Sequence, residues 1–113
     1  MDIQTSTRDG VVVLALDGDA LGGPDGSALH DALHTARGDQ PTRAVVDLAK
    51  VKHMNSSGLG MLIGALTSAR NAGGDLRLAA AGERVRLLLD VTQLSGVFQS
   101  FDSVEAAVAS YSG

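Results

Sequence analysis

The 113-residue sequence contains no cysteine and no tryptophan, and aromatic residues make up only 3% of it. The missing thiols exclude disulfides, thiolate metal sites and cysteine nucleophiles. The few aromatic rings offer little surface on which single-stranded bases could stack, and a net charge of -4 disfavours a protein that tracks a nucleic-acid backbone. We therefore expect no direct contact with nucleic acid.

Long apolar runs are also missing. No stretch approaches the roughly 18 apolar residues of a membrane-spanning helix, so no membrane insertion is predicted. The first ten residues, MDIQTSTRDG, carry an acid at the second position and no apolar segment, unlike a secretory signal. With the missing cysteines, this pattern favours a cytoplasmic protein. The length and a hydrophobic content of 44% predict one globular domain over residues 1–113.

Strand-like and helix-like apolar spacings alternate along the chain. Runs rich in β-branched or alternating apolar residues predict strands over residues 3–7, 11–17, 43–48, 75–80 and 97–101. Apolar stripes with helical spacing, which begin at Leu29, Leu59, Val85 and Val104, predict four helices. The first two strands are close enough for a hairpin, and the later ones require crossover connections. The predicted fold class is α/β, with a small mixed sheet and helices packed mainly on one face.

Capping residues predict where the first and last helices begin. Asp25 or Ser27 is suited to start the first helix, which Gly38 would end. Asp102 or Ser103 is suited to start the last helix. Each of these side chains can accept a hydrogen bond from an N–H group that the first helical turn leaves unpaired.

The segment HMNSSGLGMLIGAL, residues 53–66, joins a polar cluster and two closely spaced glycines to an apolar helix. Asn55, Ser56 and Ser57 are all good caps, although a helix needs only one. Gly58 and Gly60 each cost about 1 kcal/mol relative to alanine inside a helix, which indicates close approach by another group. If Ser57 occupies the first helical position, a phosphate on it would be tolerated at the positive end of the helix dipole. The simpler interpretation is a structural cap alone.

The run VVDLAKVKHMNSSGLGMLIGAL resembles the core signature of the STAS-domain anti-sigma-factor antagonists. In that family, a strand ending in Val-Asp-Leu leads through a short loop into Asp-Ser-Ser-Gly-Leu-Gly and an apolar helix. LDGDAL is similar to the family's Gly-Glu-Leu-Asp turn, and LLLDVTQLSGVFQSFDSVEAAV is similar to its closing segment. The resemblance covers essentially the whole chain and implies a STAS-like fold.

The resemblance implies a regulator without a cofactor, which is a substrate and switch and not an enzyme. In such proteins the second serine of the motif, here Ser57, is phosphorylated by a partner that is both an anti-sigma factor and a serine kinase. The unphosphorylated form binds this partner and releases a sigma factor, and a serine phosphatase reverses the modification. The resemblance implies a partner surface that comprises Asn55, Ser56, Ser57, Gly58, Leu59 and Gly60, with the outer loop near Asp19, Leu21 and Gly22.

One motif position departs from the family. Asn55 stands where the family usually has aspartate, so a negative charge is missing beside the expected phosphosite. Asparagine still caps a helix, but the change alters what a kinase would recognise. A second interpretation therefore stays open, in which the chain is a non-switching STAS subunit of a lipid-transport ATPase or of a sensory complex. The sequence leaves the oligomeric state open.

Catalytic and metal-binding interpretations have less support. A hydrolase that uses Ser57 would need a base such as His53 and an orienting acid to converge on it. The motif is neither a Gly-x-Ser-x-Gly elbow nor a P-loop. His30 and His34 are spaced for one helix face, but the sequence shows no third metal ligand. The arginines at positions 77, 84 and 86 are predicted to be solvated surface residues.

Overall fold

The computed structural model describes residues 2–19, 24–37 and 42–112. Within these ranges the chain forms five strands and four helices. Their order is β1 (Asp2–Arg8), β2 (Val11–Asp17), α1 (Pro24–Arg37), β3 (Arg43–Lys50), α2 (Ser56–Asn71), β4 (Asp75–Ala79), α3 (Glu83–Val91), β5 (Ser100–Phe101) and α4 (Val104–Ala109).

The five strands form one mixed sheet in the order β1-β2-β3-β4-β5. β1 and β2 make the predicted antiparallel hairpin, and each later strand pairs in parallel with the strand before it. Asp9 and Gly10 form the hairpin turn with φ values of 52° and 79°. An Asp-Gly turn with two positive φ angles matches the twist of the strands it joins.

The two faces of the sheet are covered unequally, as predicted. The main core lies on the face covered by α1, α2 and α3, whose buried side chains include Leu29, Leu62 and Leu89. On the opposite face, α4 covers a smaller cluster that includes Val45 and Val108. The predicted fold class, α/β with helices mainly on one face, is confirmed.

Of the two predicted helix starts, that of α1 is wrong and that of α4 is confirmed. α1 begins at Pro24, so Asp25 and Ser27 lie inside the helix and neither precedes it. Proline suits a first helical turn because its missing N–H has no partner there and its φ is already helical. α4 is capped by Ser103, whose hydroxyl accepts a hydrogen bond of 3.1 Å from the N–H of Ala106, and not by Asp102. Gly38, the predicted end of α1, lies outside the described residues.

Strand boundaries also differ from the predicted ones. β3 continues two residues beyond its apolar run, to Lys50. β4 ends at Ala79 because Ala80 takes a positive φ of 57° and turns the chain toward α3. Only Ser100 and Phe101 of the predicted last strand pair with β4. Phe98 precedes this pairing and packs in the main core, so its apolar character reflects core packing and not sheet pairing.

Candidate partner-binding site at the start of helix α2

The site lies at the carboxyl edge of the sheet, where β3 leads through residues 51–55 into α2. The loop is anchored at both ends by buried apolar side chains. Val51 is buried in the main core and its N–H donates to the carbonyl of Leu48 at 3.1 Å, while Met54 packs against the same core. This anchoring sets the position at which the first turn of α2 starts.

Asn55 is the cap of α2. Its side-chain Oδ1 accepts a hydrogen bond of 2.8 Å from the N–H of Gly58, and its carbonyl accepts one of 2.9 Å from the N–H of Leu59. Leu59 is only 3% exposed, so its side chain holds the turn against the core. The prediction that Asn55 or Ser56 caps the helix is thereby resolved in favour of Asn55.

Both serine side chains of the motif are exposed. Ser56 is the first residue of α2 and Ser57 the second, so Ser57 lies one residue beyond the first helical position that the sequence left open for it. Within the described part of the chain, neither hydroxyl takes part in a hydrogen bond. The backbone cap therefore does not depend on either hydroxyl, and both oxygens are accessible to another protein.

The first turn of α2 contains no acidic side chain, and the last turn contains one basic residue, Arg70. A phosphate on a first-turn serine would meet the positive end of the helix dipole without a carboxylate in the same turn. The turn can therefore accept a new negative charge without loss of the helix. Such a phosphate would instead change the charge of the exposed surface at the start of α2.

The two glycines of the motif have different surroundings. Gly58 is buried in the first turn, whereas Gly60 is exposed. A Cβ added at Gly60 would meet no atom within 4 Å, and the residue does not have a positive φ. Neither packing within the described chain nor backbone conformation thus requires glycine at position 60. The expectation that a second molecule approaches this position stays a prediction.

Asp19, the described residue of the outer loop, lies at the same edge of the sheet. Asp19 is exposed and follows β2, whose carboxyl end is tied to β3 by a hydrogen bond of 3.3 Å from Gly18 N–H to the carbonyl of Lys50. Because β2 and β3 are parallel neighbours, their carboxyl ends, and Asp19 with them, lie at one edge of the sheet. Leu21 and Gly22 lie outside the described residues.

The histidines do not assemble a catalytic or metal site in the described residues. His53 is exposed, and its Nδ1 lies 2.9 Å from Nη1 of Arg84, so its observed contact is with an arginine and not with a serine hydroxyl. The rings of His30 and His34 stack with centroids 6.2 Å apart. Residues 2–19, 24–37 and 42–112 contain no group of three histidine, cysteine or carboxylate residues placed to hold a metal ion.

Two of the three arginines predicted as solvated residues make intramolecular contacts with carboxylates. Arg86 pairs with Asp102 at 3.1 Å, and Arg77 pairs with Asp75 at 3.5 Å. Arg77 is only partly exposed, and its guanidinium also lies 3.9 Å from the ring centroid of Tyr111. The prediction of a solvated surface is therefore wrong for Arg77, because α4 and the residues after it cover this part of the sheet.

No helix within the described ranges is both long enough and apolar enough to cross a membrane.

Comparison with known proteins identifies the family of this chain. The sequence model of the STAS domain matches residues 2–107. An anti-sigma-factor antagonist (STAS) domain protein from Planctomyces limnophilus has a similar structure, with a TM-score of 0.85, 20% identity and 100% of both chains covered.

Two further solved structures show how widely the fold is used. The anti-sigma factor antagonist SpoIIAA, a Bacillus cell fate determinant known in unphosphorylated and phosphorylated forms, matches with a TM-score of 0.80 and 19% identity over 99% of this chain and 97% of its own. A sulfate transporter family protein from Wolinella succinogenes matches with a TM-score of 0.76 and 17% identity, over 92% and 86% of the two chains. At these identities the likeness establishes the fold alone.

Proposed function

Because the chain belongs to the STAS domain family, we propose that it is an anti-sigma-factor antagonist whose partner binding is switched by phosphorylation at Ser57. The unphosphorylated form binds an anti-sigma factor that is also a serine kinase, and this binding frees a sigma factor. Phosphorylation weakens the complex and a serine phosphatase restores it. In this role the chain is a substrate of enzymes and not an enzyme itself.

One observation carries the proposal: both serine hydroxyls are exposed at a helix start that Asn55 already caps. Modification of Ser57 therefore removes no hydrogen bond of the described fold. The added charge of about -1.5 to -2 acts on the docking surface through like-charge repulsion and desolvation. Binding can be switched in this way without unfolding the domain. SpoIIAA, which shares the fold, is itself known in both states.

Phosphorylation is tested by incubating the full chain with ATP and each anti-sigma kinase of its genome, followed by mapping of the modified residue by mass spectrometry. We expect phosphate on Ser57 in the wild type and in Ser56→Ala, and none in Ser57→Ala. Ser56→Ala is the matched control because it removes the neighbouring exposed hydroxyl. Phosphate on Ser56 alone would contradict the assignment to Ser57, and no modification by any kinase would contradict the switch.

The electrostatic gate is tested separately by partner binding. Ser57→Asp should weaken binding to the kinase roughly tenfold or more, whereas Ser57→Asn should bind more like the wild type because it adds similar bulk without charge. Circular dichroism should show that both variants are folded. Equal affinities for the aspartate and asparagine variants would overturn the gate.

Asn55 favours a second candidate, a non-switching STAS subunit of a lipid-transport ATPase or a sensory complex. A neutral side chain at this position lacks the charge that the resemblance places beside the phosphosite, while it retains the cap of α2. In that role the start of α2 would contact its partner in a permanent assembly. Stable co-purification with an ATPase subunit, with no phosphate on either serine, would favour this candidate.

A further inference from the structure

The strand β1 forms one edge of the sheet, and its outer side is open. Within the described residues no strand pairs with that side, and every residue of β1 except Ile3 is exposed. A strand edge presents a row of unpaired N–H and C=O groups, with which another strand can pair. We propose that β1 pairs antiparallel with β1 of a second copy of this chain, which joins the two five-stranded sheets into one.

β1 lacks the features that usually keep an open edge from pairing. Its sequence, DIQTSTR, contains no proline and no lysine, and its only charged residues are at its two ends. Its pairing with β2 runs from Asp2 to Arg8 without a bulge. A short edge strand would also discourage pairing, but β1 has seven residues, as many as β2 inside the sheet. The edge is therefore long and regular.

The sequence of β1 favours one register for such a pair. In an antiparallel ladder the two residues of a pair present their backbone groups to each other, and these groups alternate in direction along each strand. The pair must therefore join odd-numbered residues to odd-numbered ones and even to even. Only one of these registers aligns the whole of β1, and it places Thr5 at the two-fold axis, opposite Thr5 of the second copy. The same register is the only one that places Asp2 opposite Arg8.

The charges at the two ends of β1 fit this register. Asp2 lies opposite Asp17 of β2, and neither Asp2 nor Arg8 forms an ion pair within the described residues. Asp17 has Lys50 opposite it on β3, whereas Asp2 has no cation opposite it in the sheet. In the proposed pair, Arg8 of the second copy lies beside Asp2, with about 5 Å between their Cβ atoms. The two-fold axis repeats this contact at the other end of the strand.

The remaining positions of β1 also match in this register. Ile3, Thr5 and Thr7 share the face of the main core. Ile3 then meets Thr7 of the second copy, and the two copies of Thr5 meet each other. Pairs of β-branched residues and hydrogen bonds between threonines stabilise neighbouring strands. On the other face Gln4 lies opposite Ser6, so no position pairs an apolar side chain with a charged one. The inference concerns the edge of β1 and is independent of the proposed function.

The association is measured by sedimentation velocity of the full chain at concentrations from about 1 µM to about 1 mM. One strand edge buries less area than the roughly 1,200–2,000 Å² of a stable interface, so we expect a dimer that dissociates on dilution. Amide hydrogen exchange locates the contact. Residues 2–8 should exchange more slowly at high concentration, whereas residues 11–17, which are already paired on both sides, should not change. A chain that is monomeric throughout this range would overturn the inference.

Charge reversals test the register. Asp2→Arg and Arg8→Asp should each weaken dimerisation roughly tenfold or more, because each places two like-charge pairs in the dimer. The double variant Asp2→Arg/Arg8→Asp should restore it, since opposite charges then face each other again. Glu83→Arg is the control, because it reverses the charge of an exposed residue on α3, away from β1. Circular dichroism should show that each variant is folded. Unchanged dimerisation in both single variants, or no recovery in the double variant, would refute the proposed pairing.

Discussion

The side-chain oxygen of Asn55 accepts a hydrogen bond of 2.8 Å from the backbone N–H of Gly58. Through this contact α2 is capped by a residue that carries no charge and cannot be phosphorylated. The two hydroxyls that follow it in the chain are exposed and are not needed for that cap. The stability of the helix start therefore depends on Asn55, whereas any regulation would act through Ser56 or Ser57.

Removal of the cap should destabilise the protein, whereas removal of the neighbouring hydroxyl should not. Asn55→Ala leaves the N–H of Gly58 without its acceptor and should lower the free energy of unfolding by about 1 kcal/mol. Ser56→Ala is the control and should change it by less than about 0.5 kcal/mol, as at other exposed sites. Urea denaturation followed by circular dichroism measures both. A larger loss for Ser56→Ala than for Asn55→Ala would contradict the assignment of the cap.

Replacement of the exposed glycines of α2 should stabilise the domain. An added Cβ at Gly60 or at Gly64 meets no atom within 4 Å, so Gly60→Ala and Gly64→Ala should each raise the free energy of unfolding by roughly 0.5–1 kcal/mol. If a partner approaches the helix at position 60, Gly60→Ala should also weaken partner binding. A stability loss in either variant would show that the helix surface is more crowded than the structure indicates.

Gly74 is the control for those substitutions, because it has no room for a Cβ. Its added Cβ would overlap backbone atoms of Thr42, where the N–H of Asp75 donates to the carbonyl of Thr42 at 2.7 Å. Backbone cannot move aside as a flexible side chain can. Gly74→Ala should therefore destabilise the domain by about 1–3 kcal/mol. Thermal unfolding would reveal the contrast as Tm shifts of opposite sign for Gly74→Ala and Gly60→Ala.

Tyr111 should make the stability of the domain fall at high pH. Its hydroxyl donates to the carbonyl of Ala44 at 2.8 Å, and burial raises its pKa from 10.0 to about 12. Between these values the unfolded state releases the phenolic proton while the folded state retains it, so the free energy of unfolding decreases as pH rises from about 10 to about 12. Below pH 10 this contribution is fully present.

The comparison variant for this pH dependence is Tyr111→Phe, which has no phenolic proton. Its stability should be lower near neutral pH, by about 0.5–1.5 kcal/mol for the lost hydrogen bond, but it should decrease less steeply above pH 10. Chemical denaturation at a series of pH values gives both slopes. Parallel slopes for the wild type and Tyr111→Phe would show that another group causes the alkaline loss.

Local patterns predicted most of the secondary structure because they depend on neighbours along the chain. The β-branched run of residues 11–17 became β2 with the predicted bounds, and the apolar stripe from Leu59 became the buried side of α2. The motif also restricted the cap of α2 to a few candidate residues. Predictions failed where a side chain packs against residues that are distant in the sequence. Phe98 is an example, because its side chain packs in the core beside a strand of only two residues.

By itself, the sequence determined the α/β class, the hairpin, the positions of the helices and the place of the serine motif at a helix start. These follow from periodicity and capping chemistry, which are local properties of the chain. Only the tertiary structure decided that Asn55 alone supplies the side-chain cap and that both serines are exposed. It also decided that Arg84 meets His53 across 31 positions of sequence in a cleft with Lys52. Such contacts depend on how parallel strands bring distant segments to one edge of a sheet, and no local pattern encodes that.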